Sequence, residues 1–164
     1  MILGRGNWGE PSVTTETPSQ ESGMGNEVMI AGLQFHHIGV ACRDLEKEIR
    51  SFAIVGYRLE GEQFSDPLQK IHGCFLVGPG PRIELLAPMD DASPVMSWLQ
   101  KGVKMYHQAY EVESIEDAAA ALCAERAVVI SPGKPAVAFG GRKITFLMFP
   151  NLLLVELIES ASPR

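Results

Sequence analysis

The sequence lacks the features that mark membrane, secreted and nucleic-acid-binding proteins. No apolar run approaches the ~18–20 residues that a membrane-spanning helix needs. The N-terminal MILGRGNWGE has no apolar stretch behind a basic start, so we expect no secretory signal. Lysine and arginine number 14 against 20 aspartates and glutamates, which gives a formal net charge of -6 and no basic stripe to neutralise phosphates. We therefore expect no membrane partner, no nucleic-acid partner and a cytoplasmic location.

Cysteine is also scarce. The three cysteines, Cys42, Cys74 and Cys123, show no CxxC spacing, and an odd number is a poor basis for a disulfide framework. We expect reduced thiols, as is usual in the cytoplasm. Neither Cys42 nor Cys74 has a neighbouring signature of a nucleophile, so both are interpreted as small hydrophobic residues of the core.

The composition that is present is that of one small folded domain. Of 164 residues, 46% are hydrophobic and 21% are charged, the balance of a globular protein. Residues 1–28 are mostly Gly, Ser, Thr, Pro and Glu without apolar periodicity, and we expect them to form a disordered tail. Residues 29–164 are expected to form a single domain.

Within that domain the order strand–helix–strand–strand–strand is predicted twice. The first strand, LQFHHIGVAC, precedes a helix that Asp44 caps and Gly56 ends. Three strands follow, and then a short helix with Ser93 as its cap and Pro94 in its first turn. KMYHQAYEV begins the second set, whose helix is capped by Ser114.

A direct overlay supports a duplicated βαβββ module. HIGVACRDLE matches HQAYEVESIE at a distance of 70 residues, and IELLAP matches VELIES at 72 residues. Two separate matches with nearly the same period indicate a repeat. The first module spans about residues 33–90 and the second about residues 103–160, which predicts an α+β fold of two tandem modules.

The overlay pairs four polar residues that lie in apolar strands: His37, Glu84, His107 and Glu156. A carboxylate in such surroundings is costly unless a cation or several donors compensate it. Side chains alternate along a strand, so the branched neighbours of each acid would pack under the sheet while the acids point to the other face. If a pseudo-twofold axis relates the modules, the four side chains converge in one cleft and form a mixed nitrogen and oxygen site for a divalent metal.

Four segments resemble the vicinal oxygen chelate (glyoxalase/bleomycin resistance/dioxygenase) superfamily: HHIGVACRDLE, IELLAPMDDASPVMSWLQKG, MYHQAYEVESIEDAAAAL, and GGRKITFL with LLVELIE. The resemblance spans residues 34–159 and is closest to methylmalonyl-CoA epimerase-like proteins, more distantly to glyoxalase I. It implies that each module forms a half-barrel and that the paired modules enclose a metal cleft. It also implies His37, His107 and Glu156 as ligands, with Glu84 where the family has a Glu or Gln ligand.

The resemblance implies a metal-dependent enzyme that enolises a small acyl substrate, such as a CoA thioester. The ion would be Co, Mn, Ni, Zn or Mg, and Glu156 would be both ligand and base. Epimerisation needs a second acid/base on the other face of the enolate. The epimerase pattern has a Glu where this chain has Leu68, and nearby candidates are Asp66, Gln69 and His72. We take His72 as the second catalytic candidate, with a surface histidine as the alternative interpretation.

Two other segments bear on the substrate. FLMFPN stands where the family has a His-Pro-Lys turn, so the lysine that would contact a CoA phosphate is missing. The loop SPGKPAVAFGG, residues 131–141, contains Gly140 and Gly141, which permit close approach or positive φ at the rim of the cleft. This loop is interpreted either as a substrate gate or as a long hairpin.

Three functions remain open from the sequence. The first is the metal-dependent isomerase or epimerase, and the second is a glyoxalase-like lyase or Fe(II) oxygenase of the same superfamily. The third is a non-catalytic protein that sequesters a small ligand. The apolar strands LLLVELI and FLMF favour a homodimer.

Overall fold

The structure is a computed structural model that describes residue 30 and residues 32–161. The tail predicted for residues 1–28 lies outside the described residues. No helix among the described residues is long and apolar enough to cross a membrane.

The predicted double βαβββ order is confirmed. In the first module the elements are β1 (Gln34–Ala41), α1 (Leu45–Ile54), β2 (Arg58–Asp66), β3 (Ile71–Val77) and β4 (Ile83–Pro88). A short helix, α2 (Met96–Gln100), connects the modules. The second module has β5 (Met105–Val112), α3 (Ile115–Ala124), β6 (Val128–Pro135), β7 (Lys143–Met148) and β8 (Leu154–Glu159), with a 3-10 turn at Val137–Phe139.

All eight strands form one mixed sheet in the order β2-β3-β4-β1-β5-β8-β7-β6. The two first strands, β1 and β5, run antiparallel at its centre. Each is parallel to the last strand of its own module, β1 to β4 and β5 to β8. The two halves are therefore arranged alike on either side of the β1–β5 pair, and the sheet is open at β2 and β6, which matches the predicted glyoxalase-like α+β fold.

Three apolar clusters hold this sheet in place. One lies under α1 and includes Leu45, Leu76 and Leu85, and another lies under α3 and includes Ile115 and Leu157. The third cluster covers the opposite face, where residues of both modules meet: Ala41, Ile71, Phe75, Leu86, Val95, Tyr106, Ala109, Ala136, Phe139, Ile144, Phe146, Leu154 and Ile158. One face of the sheet thus packs on the helices, while the other forms a cleft that both modules line.

Two of the three predicted helix caps are confirmed. Asp44 Oδ1 accepts a hydrogen bond from Lys47 N at 3.0 Å, and Ser114 Oγ accepts one from Asp117 N at 3.1 Å. The prediction for Ser93 is wrong, because α2 begins only at Met96 and the buried Ser93 hydroxyl has no hydrogen-bond partner within residues 32–161 or at residue 30. The side chain of Val95 is fully buried in the cleft-facing cluster, so the chain turns into the core there before the helix starts.

The loop predicted for residues 131–141 is partly strand. β6 continues to Pro135 because its backbone pairs with β7 across two register shifts, as in the Lys134–Ile144 pair. The rest of the segment turns back through the 3-10 turn. Gly140 and Gly141 adopt φ of 65° and 86°, which confirms the predicted positive φ.

Candidate metal centre

Two β-bulges in the central strand pair determine which side chains face the cleft. Between the Phe35–Tyr110 and His37–Ala109 pairs, β1 has one extra residue, His36. Between the Gly39–His107 and Val40–Met105 pairs, the extra residue is Tyr106 on β5. A bulge turns two successive side chains toward the same face, so His36 accompanies His37 and Tyr106 accompanies His107.

Each metal-ligating candidate histidine lies across the strand pair from a very small residue. The partner of His37 is Ala109, and the partner of His107 is Gly39. A Cβ built on Gly39 would lie 2.3 Å from Cε1 of His107, so the imidazole occupies the space that a side chain would need. The absence of a side chain at position 39 therefore allows His107 to lie against the backbone of β1.

The two acids come from the strands that flank this pair. Glu84 on β4 is level with Gly39, and Glu156 on β8 is level with Ala109. The neighbours of the acids pack on the other face, Ile83 and Leu85 under α1 and Val155 and Leu157 under α3. The predicted division between branched side chains beneath the sheet and acids in the cleft agrees with this arrangement.

We call His37, Glu84, His107 and Glu156 the buried quartet. Each is at most 4% exposed, and one ligand atom from each residue lies within 4.8 Å of all the others. His37 Nε2 is 2.9 Å from His107 Nε2 and 3.1 Å from Glu84 Oε2. Glu156 Oε2 is 3.3 Å from His107 Nε2 and 3.5 Å from His37 Nε2.

Burial governs the protonation of the quartet. Burial, with the neighbouring His107, lowers the pKa of His37 to about 3. Burial raises the pKa of Glu84 to about 7 despite the nearby His107. For His107, burial alone would lower the pKa, but the carboxylates of Glu156 and Glu84 together raise it. Burial thus disfavours the charged forms of His37 and Glu84, whereas the two carboxylates favour the charged form of His107.

The donor set of the quartet fits a divalent cation. The Nε2 atoms of two imidazoles face each other, and two carboxylates lie beside them. The buried Glu156 Oε2 lies 3.3 Å from His107 Nε2 but has no hydrogen-bond partner among the described residues. A divalent ion would offset the charge of both carboxylates and give all four atoms a common partner. Nitrogen and oxygen ligands without a thiolate suit several divalent metals.

Aromatic and apolar residues surround the quartet. A pocket of about 20 Å³ opens onto Glu84, His107 and Glu156. Its other lining residues are Phe64, Gln69, Ile71, Leu86, Pro94, Tyr106, Ala138, Phe139 and Phe146. Burial, and then Glu156 and Glu84, raises the pKa of Tyr106, which keeps its hydroxyl protonated.

The structure does not bring the predicted catalytic residue His72 to the quartet. On β3, His72 alternates with Ile71 and Gly73, and it hydrogen-bonds Ser65 Oγ at 2.7 Å near the start of α1. Its strand face is that of Cys74 and Leu76, which pack under α1. His72 therefore lies on the opposite side of the sheet from the cleft.

The other candidates for the second acid/base are arranged differently. Leu68, which stands where the epimerase pattern has Glu, is 58% exposed at the β2–β3 turn, whereas the candidate Gln69 lines the pocket. Asp66 is 1% exposed, and both its carboxylate oxygens accept backbone hydrogen bonds, from Gln69 N at 3.0 Å and from Val137 N at 2.9 Å. Asp66 thus links the two modules beside the pocket.

Sequence reasoning missed three residues of this site: His36, Tyr106 and Gly39. Strict alternation along a strand places His36 on the face opposite His37, and a bulge cannot be foreseen from alternation. The repeat carried the relevant information, since His36 and Tyr106 are also 70 residues apart.

The comparisons with known proteins agree with this geometry. The sequence model of the Glyoxalase/Bleomycin resistance protein/Dioxygenase superfamily matches residues 36–146 of this chain. The chain belongs to this superfamily. Methylmalonyl-CoA epimerase, mitochondrial, of Dictyostelium discoideum is 31% identical over 157 residues, which cover 90% of this chain and 91% of that protein.

Further relatives in the superfamily have similar names. Ethylmalonyl-CoA/methylmalonyl-CoA epimerase of Cereibacter sphaeroides is 28% identical over 116 residues, 70% of this chain and 87% of that protein. A variant of Streptomyces coelicolor methylmalonyl-CoA epimerase in complex with 2-nitronate-propionyl-CoA is 26% identical, with a TM-score of 0.67. The match covers 80% of this chain and 100% of that one.

Proposed function

We propose that this chain is a divalent-metal-dependent epimerase, which inverts the carbon next to the carbonyl of a small acyl-CoA thioester. The observation that carries the proposal is the convergence of two histidines and two carboxylates in the buried quartet. The epimerase relatives and the complexes of similar structures with CoA thioesters support this substrate class. Co, Mn, Ni, Zn and Mg are the candidate ions.

The quartet would hold the ion, and the protein would move the proton. A divalent ion, when bound, stabilises negative charge on the enolate oxygen of the substrate and so acidifies the neighbouring C–H bond. The carboxylate of Glu156 removes the proton from that carbon. Aromatic side chains line the site, and the proton taken up by Glu156 exchanges with solvent between turnovers.

Inversion also needs an acid on the other face of the enolate. The side chain of Leu68 has no acidic proton. The carboxylate of Asp66 accepts hydrogen bonds from two backbone N–H groups. Glu84 is the counterpart of Glu156 in the first module. It enters the cleft from β4, on the other side of the β1–β5 pair from Glu156. We therefore assign Glu84 as the group that returns the proton, so that the two modules contribute one acid/base each.

Isotope exchange tests both assignments. The cobalt-loaded protein is expected to invert methylmalonyl-CoA or ethylmalonyl-CoA in D2O and to place deuterium on the α-carbon. Glu156→Gln and Glu84→Gln each keep an oxygen ligand but remove one acid/base. Each variant should lose inversion. It should still exchange the α-proton with solvent deuterium, but only in the epimer whose α-proton points to the remaining carboxylate.

The matched control is Glu125→Gln, an exposed glutamate at the end of α3, which should keep full activity. If the metal-loaded protein incorporates no solvent deuterium into either thioester, the epimerase function is contradicted. Full inversion by Glu84→Gln would contradict the assignment of Glu84 alone.

The alternative functions use the same residues in other ways. The curated relatives are epimerases, which favours epimerisation over a glyoxalase-like lyase or an Fe(II) oxygenase. Copurified iron with oxygen consumption would favour the oxygenase. A ligand-sequestering protein would keep its ligand affinity and stability after His37→Ala and His107→Ala, but the buried charges of the quartet are costly without an ion.

The homodimer and the cytoplasmic location stay predictions. The apolar strands on which the homodimer was based, β7 and β8, lie inside the sheet, and their residues Leu147 and Leu157 are fully buried within this chain. Light scattering would measure the oligomeric state. One relative is named as mitochondrial, so relatives do not fix the compartment.

A further inference from the structure

We propose that His36 is a positioning residue for the metal centre, which fixes the ring orientation and tautomer of His37 through a hydrogen bond between their Nδ1 atoms. The proposal rests on the metal site of the proposed function. It concerns a residue outside the buried quartet, and its basis is the geometry of the first bulge.

The hydrogen bond between His36 and His37 allows only one placement of its hydrogen if His37 is to bind a metal ion. The two Nδ1 atoms are 2.7 Å apart, so one carries a hydrogen and the other offers a lone pair. His37 directs Nε2 at the quartet, and a nitrogen that binds a metal must be unprotonated. A neutral His37 then carries its hydrogen on Nδ1 and donates it to Nδ1 of His36.

Arg82 is compatible with this arrangement. Its Nη1 lies 3.0 Å from Nε2 and 3.4 Å from Nδ1 of His36. An atom nearly equidistant from these two nitrogens cannot lie in the ring plane without overlapping the carbon between them, so the guanidinium lies over the ring face. In that position Arg82 leaves the in-plane lone pair of Nδ1 for His37.

The surroundings of His36 hold its ring in one place. Its ring packs edge-on against Phe75 at 6.3 Å and Phe139 at 5.5 Å between centroids. Arg82 also lies 3.8 Å from the centroid of Phe75 and hydrogen-bonds Glu60 Oε2 through Nε at 2.5 Å. Residues of both modules therefore hold His36 in position, although His36 is not one of the proposed metal ligands.

The second ligand histidine has no such support. Tyr106 occupies the equivalent position before His107, and its ring meets that imidazole edge-on with centroids 5.1 Å apart. His107 Nδ1 is buried without a hydrogen-bond partner among the described residues. The two histidines of the site are thus held differently, His37 by a hydrogen bond and His107 by packing over Gly39.

Cobalt binding provides the test. Co²⁺ affinity is measured by competition with a chelator, and the visible absorption of bound Co²⁺ reports the geometry of its ligands. His36→Phe keeps a ring between Phe75 and Phe139 but removes the acceptor, and we expect the affinity to fall about 10- to 100-fold, as for other partners of metal-bound histidines. His36→Ala should give at least the same loss, with a changed spectrum.

Rescue and control variants separate positioning from folding. His36→Asn offers an amide oxygen as acceptor and should recover part of the affinity that His36→Phe loses. His72→Ala removes a histidine from the opposite face of the same sheet and should leave affinity and spectrum unchanged. Thermal unfolding of each metal-free variant verifies that the fold is intact.

Wild-type affinity and an unchanged spectrum in His36→Phe would overturn the role of His36 while leaving the metal site standing. Absence of Co²⁺ binding by the unmodified protein would overturn the metal site itself.

Discussion

Gly39 shows how much of this site depends on a single small residue. A Cβ at this position would come within 2.3 to 2.6 Å of three atoms of the His107 ring. We predict that Gly39→Ala displaces this ligand and lowers Co²⁺ affinity about 10-fold or more. The clash should also cost about 1–3 kcal/mol of the free energy of unfolding.

The control is Gly133→Ala, in the exposed part of β6. There the nearest atom to a new Cβ is Thr145 Oγ1 at 3.4 Å, an ordinary contact, so affinity and stability should stay close to wild type. Chelator competition and urea unfolding measure both effects. Unchanged Co²⁺ affinity in Gly39→Ala would show that His107 is not a ligand.

The thiols differ in reactivity because of their burial. Burial raises the pKa of Cys42 to about 12 and that of Cys74 to about 11, so neither forms appreciable thiolate near neutral pH. Cys123 is exposed on α3. We predict one fast equivalent with a disulfide reagent in the native protein and two more only after unfolding. Cys123→Ser should abolish the fast phase, and rapid reaction of all three thiols would contradict the buried packing.

The sequence predicted the buried quartet because four polar residues lie in apolar strands at matching positions of a repeat. It did not predict the face of His72. That depended on where β3 begins and on the turn at Leu68, and strand boundaries follow from backbone pairing rather than from side-chain pattern. His36 and Tyr106 depended on the bulges in the same way.

At the scale of elements, Asp66 connects the end of β2 with the segment after β6. Its carboxylate accepts Val137 N and Gln69 N while nearly fully buried. We predict that Asp66→Asn loses one of these bonds, because the NH2 group of asparagine would face a buried backbone N–H. The free energy of unfolding, measured with urea, should fall by about 1–3 kcal/mol.

Asp90→Asn is the matched control for that link. Asp90 is exposed, and its Oδ1 accepts Ala92 N, a bond that an asparagine oxygen can also accept. The free energy of unfolding of the Asp90→Asn variant should therefore remain near that of the wild type. Equal stabilities of the two variants would show that the Asp66 link contributes nothing to the stability of the fold.

Elements were predicted well where local chemistry determines them. Asp44 and Ser114 cap α1 and α3 as their side chains dictate. The start of α2 and the length of β6 instead follow from long-range contacts, the burial of Val95 and the pairing of β6 with β7. A local pattern does not contain such contacts.

At the level of the whole molecule, the proposed metal centre lies between the two modules. Each contributes one histidine and one glutamate to the quartet, so a bound ion connects the halves of the sheet. An ion that binds only the folded chain stabilises it by about 2.7 kcal/mol at a free concentration 100-fold above its Kd. We predict a higher Tm with Co²⁺ that EDTA reverses, and no shift in the double variant His37→Ala/His107→Ala. A shift of the same size in that variant would indicate binding elsewhere.

We propose that the buried quartet is a divalent-metal site to which both modules contribute ligands. A crystal structure of the cobalt-loaded protein, with anomalous scattering recorded at the cobalt edge, tests it most directly. We expect one strong anomalous peak per chain within bonding distance of His37, Glu84, His107 and Glu156. A cobalt peak elsewhere, or none between these side chains, would contradict it.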